Sequence, residues 1–109
     1  MTIPVSRPKN HYSYMYGKIA EAVYRLTVGE GNIKDRLVWA SDAFFAINAS
    51  MLPPDLRETW ALLWNDMTRF PANGNRSSFH ETIRRVRFAT ASGFARRLVA
   101  LKSELKDRC

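Results

Sequence analysis

Arg76, His80, Arg84 and Arg87 recur at steps of four, four and three, the spacing that brings side chains to one side of a helix. Arg85 and Arg96 share a second side, with Arg97 and Lys102 further along. Between residues 76 and 97, six arginines stand against the single Glu81. A guanidinium is permanently charged, and its planar fork of donors matches phosphate or carboxylate. The chemistry this pattern points to is recognition of an anion. Phe88 lies among Arg84, Arg85 and Arg87 and adds an aromatic face; aromatic and arginine side chains dominate binding hot spots. The candidate binding set is Arg76, His80, Arg84, Arg85, Arg87, Phe88, Arg96 and Arg97.

Bond-making chemistry finds less support. His80-Glu81 opens the zinc-protease pattern HExxH, but the second ligand position is Arg84. The other histidine is His11 and the one cysteine is Cys109, so no spaced metal-ligand set exists and no cofactor is implied. Gly29-Glu30-Gly31 lacks the third glycine and the preceding strand of a dinucleotide fingerprint, and reads as a turn between helices. No nucleophile–base pair can be argued from the serines or from a terminal thiol. Asp35, Asp42, Asp55, Glu58 and Asp66 read as solvated helix charges. The expectation is a protein that is not an enzyme.

The totals set the frame. The chain has 109 residues, 46% hydrophobic and 25% charged, which suits one folded domain and excludes disordered or low-complexity classes. Its net charge is +7. Residues 71–109 carry nine basic and three acidic side chains, so six of the seven surplus charges sit in the last third. No apolar run is long enough to span a membrane. The opening MTIPVSRPKN has no apolar core of the kind a secretory leader needs, and a single cysteine excludes an intrachain disulfide. A reducing, cytoplasmic home is expected.

Hydrophobic spacing then supplies the elements. Residues 1–10, with Pro4 and Pro8, read as a flexible arm ahead of a helical domain over 11–109. A first helix, about His11 to Thr27, carries Met15, Ile19, Ala22, Val23 and Leu26 on one stripe. A second starts after the N-cap Asn32 and runs to about Ser50, with Ile33, Leu37, Ala40, Phe44, Ile47 and Met51 on one face. It is apolar nearly all round, which predicts a central element or a subunit interface. A third starts at Leu52-Pro53-Pro54, with Leu56, Trp60, Leu63, Met67 and Phe70 as its seam, and ends at the turn Pro71–Asn75.

The fourth helix begins at Ser78-Phe79-His80-Glu81, which has the form of a capping box. Its periodicity runs to about Lys106, roughly 42 Å at 1.5 Å per residue. Its stripe turns from the line Phe79, Ile83, Val86, Thr90 to the line Phe94, Leu98, Leu101, Leu105, which predicts a kink at Ala91-Ser92-Gly93. The fold class expected is all-α, a four-helix bundle-like single domain with a long, kinked C-terminal helix.

Tyr24, Val38, Phe45, Leu62, Phe88 and Val99 fall off these stripes and form an apolar surplus available to a partner. The function expected is a small non-enzymatic binding or regulatory protein whose basic C-terminal helix engages nucleic acid. The alternative is an adaptor, inhibitor or antitoxin-like module docking on an acidic protein surface, with a homodimer as a third arrangement. The anionic-target readings carry one condition: the protein's own carboxylates must not neutralise these arginines one for one.

Overall fold

A computed structural model describes residues 7–108, with side chains described from residue 12 onward. The fold is all-α. In chain order the helices are α1 (Arg7–Val28), α2 (Ile33–Trp39), α3 (Ser41–Phe45), α4 (Pro54–Met67), α5 (Ser78–Arg85) and α6 (Phe88–Lys106), with a 3₁₀ turn at Ala49–Met51 before α4. Among the described residues there is no β-strand, only an isolated bridge between Asn73 and Arg76 across a turn. α6 packs against α1, α2 and α4, while α5 bridges α2 and α4.

The apolar stripes become the core. Met15, Ile19, Ala22, Val23 and Leu26 of α1 are buried, as are Leu56, Trp60, Leu63 and Met67 of α4. Phe79, Ile83 and Val86 join Phe94, Leu98, Leu101 and Leu105 in the same cluster. Phe79 anchors α5: it meets Phe44 edge-on at 5.5 Å and stacks on Trp64 at 6.1 Å between ring centroids. Trp64 in turn stacks on Trp60 at 5.6 Å.

The structure divides two helices that hydrophobic spacing reads as continuous. The second segment bends at Ala40, which closes α2 and opens α3. There the Ser41 hydroxyl donates to the Val38 carbonyl at 2.7 Å, a side-chain bond that competes with the helical ladder and bends it. Leu37, Ala40 and Phe44 are buried, but Val38, Trp39 and Phe45 stay 40–50% exposed, so this segment is not covered on every side. Among the described residues there are therefore six α-helices where four were expected.

The long C-terminal helix is interrupted earlier than expected. Val86 and Arg87 are both extended, with ψ of 161° and 158°, and they separate α5 from α6. Two extended residues re-aim the chain so that Val86 and the Phe94–Leu105 line can both reach the core. Gly93 is not a break; it lies inside α6.

At the other end, α1 takes in Arg7 to Asn10, four residues of the expected arm. Pro8 sits in its first turn, where a missing N–H breaks no helical bond. The rest of the arm, residues 1–6, lies outside the described residues.

A methyl group added at Gly93 would meet only the tip of Arg96, at 4.0 Å. Gly93→Ala is therefore expected to raise stability by about 0.5–1 kcal/mol in urea denaturation, by removing backbone entropy from the unfolded chain. A loss of stability would contradict a continuous α6.

Candidate anion-binding face

α5 begins at the N-cap Ser77, whose hydroxyl accepts from the His80 backbone N–H at 3.2 Å. The cap is one residue earlier than the pattern Ser78-Phe79-His80-Glu81 suggests. Glu81 is thereby released from any capping role. Its side chain is only 1% exposed and holds three guanidinium groups. Arg76 Nε donates to Oε1 at 2.9 Å, and Arg84 donates through Nε and a terminal nitrogen at 3.3 and 2.7 Å. Arg85 Nε donates to Oε2.

Such charge-assisted bonds stabilise the carboxylate over the acid. Hydrogen bonds from Arg84, then Arg85, then Arg76 hold the Glu81 carboxyl far below the ordinary glutamate value, against the opposing effect of burial. The three arginine side chains are each about half exposed, at 48–50%. One negative charge is thus shared by three positive ones, and the cluster keeps a surplus of two.

Lys34 of α2 completes this face. Its ammonium donates to the Arg84 carbonyl at 3.2 Å, near the open C-terminal end of α5, and lies 4.8 Å from the Phe88 ring centroid. Phe88, the first residue of α6, is 55% exposed. α6 has no side-chain cap and no acidic residue in its first turn, so its first N–H groups add positive potential beside Lys34. Arg87, in the extended link, is exposed. Between α2 and α5 opens a cleft of about 540 Å³, lined among others by Lys34, Val38, Arg76, His80, Ile83 and Arg84. Asp35 also lines it, with Oδ2 accepting from the Asn32 N–H at 3.1 Å. His80 pairs with the Ser77 hydroxyl through Nδ1 at 2.7 Å.

The structure gathers Arg76, His80, Arg84 and Arg85, and Lys34 links them to Phe88. It does not gather all eight residues on one strip. Arg96 lines a groove between α1 and α6 with Leu26 and Val99. Arg97 lines a different groove, between α4 and α6, and is paired with Asp66 at 2.8 Å. The break at Val86-Arg87 and the turning of the stripe separate these two from the α5 cluster. Neutralisation is one for one at Arg97 but not at Glu81.

Lys34 is the contributor that sequence reasoning misses; it sits 50 positions from Arg84 and no local pattern links them. Glu81 reads from the sequence as a capping residue; the signal that points to its actual role is the spacing, since Arg84 and Arg85 follow it at i+3 and i+4. The off-stripe apolar residues Tyr24, Val38, Phe45, Leu62, Phe88 and Val99 are all exposed. Val38 lines the cleft and Val99 the α1–α6 groove, so they do not all serve one surface.

Among the described residues no group of His, Cys, Asp or Glu is placed to hold a metal ion, and no helix is long and apolar enough to cross a membrane. No family model, curated protein or solved structure matches this chain.

Removing the Glu81 charge leaves three guanidiniums facing one another. Glu81→Gln is therefore expected to destabilise the fold more than Arg76→Ala, Arg84→Ala or Arg85→Ala alone. The sign with pH follows from the lowered carboxyl: its stabilisation is complete above the ordinary value near 4.5 and drains away as pH falls through the folded value. The stability gap between wild type and Glu81→Gln, read from urea melts, should be widest at neutral pH and narrow below about 4.5. A gap independent of pH would contradict an ionised Glu81.

Proposed function

We propose that this chain is a small, non-enzymatic binding module whose basic face, at the junction of α2, α5 and α6, engages the phosphate backbone of nucleic acid. The observation that carries this reading is the three-to-one sharing at Glu81. The buried carboxylate fixes three forks in place while leaving a net positive charge. Ordering those side chains in advance reduces the entropy lost when an anion is bound. Each phosphate neutralised also releases condensed counterions, which makes such binding favourable at low salt. Lys34, Arg87 and the uncapped start of α6 extend the positive potential beyond the cluster.

A second reading is supported by the apolar neighbours of the same cations. Phe88 and Val38 are 55% and 40% exposed, and an acidic protein surface with an apolar centre would engage both kinds of group. The two readings differ in their salt response and in the competitor that displaces the target.

Filter binding with a mixed-sequence oligonucleotide at several salt concentrations tests the first. Binding at low salt is expected, with log affinity falling linearly against log salt by roughly 0.7 to 0.9 per phosphate contact. Arg87→Ala should reduce that slope by about 1. Absence of binding at low salt would refute the nucleic-acid reading. Capture of a protein partner that survives nuclease and moderate salt would then favour the second.

A further inference from the structure

The α2–α5 cleft offers more than backbone contact requires. A phosphate backbone can lie on a flat or convex cationic surface. Here cations rim a concavity of about 540 Å³, the size of a site for a small organic molecule. Its lining is divided by chemistry. Lys34, Arg76 and Arg84 supply positive charge, the 40% exposed Val38 supplies apolar surface, and Asn75 and the Asp35 carboxylate also line the cleft.

The donor inventory favours an anion at the cationic side. Each guanidinium carries five N–H donors. Glu81 takes only the Nε–H of Arg76, and it takes the Nε–H and one terminal nitrogen of Arg84. Both terminal nitrogens of Arg76 and one of Arg84 are left to a ligand. Lys34 spends one of its three N–H donors on the Arg84 carbonyl. A phosphate bound by these groups would place whatever it carries beside Val38.

We propose that the cleft takes one nucleotide unit of a single strand, its phosphate on Arg76, Arg84 and Lys34 and its base against Val38. This rests on the nucleic-acid reading above and narrows it. A base stacked and paired inside a duplex is not free to enter a pocket, whereas an unpaired base is. The cleft therefore selects single strands, and the remaining cations bind phosphates of either form without distinction.

Fluorescence anisotropy with labelled oligothymidine and oligouridine of about 15 nucleotides, and a duplex of equal length, tests this at one low salt concentration. The single strand is expected to bind about tenfold more tightly than the duplex. Val38→Gln, which replaces the exposed apolar side chain by an amide and adds neither ring nor charge, should remove that advantage and leave duplex binding unchanged. Asn75→Leu, which narrows the cleft from the exposed turn before α5 without adding a ring, should act in the same way and keeps the test sound if the Val38 variant misfolds. Equal or tighter duplex binding, or a single-strand preference untouched by both variants, would overturn the cleft assignment while the nucleic-acid reading stands. Absence of binding to every probe would overturn both.

Discussion

A carboxylate buried in a small helical body is tolerated only if its charge is met, and Glu81 meets it three times over. Removing an ionised group from water costs several kcal/mol unless hydrogen bonds replace its hydration. Arg76, Arg84 and Arg85 provide those bonds from two directions, one from the turn before α5 and two from its last turn. The consequence is mechanical as well as electrostatic. The turn, the helix and its C-terminal end are tied to a single point, which fixes the shape of the cleft beside them. The adjoining residue extends the tie: Thr82 accepts from the Phe70 backbone N–H at 2.9 Å, and Phe70 lies 5.3 Å from the Arg85 guanidinium. The segment from Phe70 to Arg85 is thus closed on itself by part-buried hydrogen bonds and a cation–ring contact.

The apolar side of α5 does complementary work. Phe79 is wedged among Phe44, Phe45 and Trp64, so aromatic contacts seat the helix on the body while its outer arginines remain half in solvent. Edge-to-face and offset arrangements of this kind add to simple area burial. A helix of eight residues would be marginal on its own. It persists because Phe79 and Ile83 are fully covered below and Glu81 is bonded above. The same two-sided anchoring positions the Arg84 carbonyl to receive Lys34 and so brings a cation from α2 onto the face.

Much of this was legible in the residues. The core stripes of α1 and α4 match the observed burial almost residue for residue, because apolar periodicity reports directly on the face a helix must cover. The six off-stripe apolar residues are exposed for the same reason. Helix ends were less legible. At Ala40 the ladder yields to one serine hydroxyl, and at Val86-Arg87 to two extended residues that carry no glycine or proline to mark them. A stripe that turns by a fixed angle is satisfied equally by a kink or by a break, and only tertiary packing chooses. The fate of Glu81 was obscured by neighbouring serines: Ser77 caps the helix where Ser78 fits the pattern as well. The split of Arg96 and Arg97 from the α5 cluster follows from that unmarked break, and Lys34 joins the site only through the packing of α2 on α5.

The cationic face depends on an ionised Glu81 holding its three arginines. A pH titration of the Glu81 side-chain carboxyl carbon by NMR reads that state directly. The resonance is expected to stay in its ionised position well below pH 4.5, after an ordinary glutamate has taken up its proton. A midpoint at or above that value would mean that the guanidinium groups do not hold the carboxylate, and the arrangement of the cationic face would lose its basis.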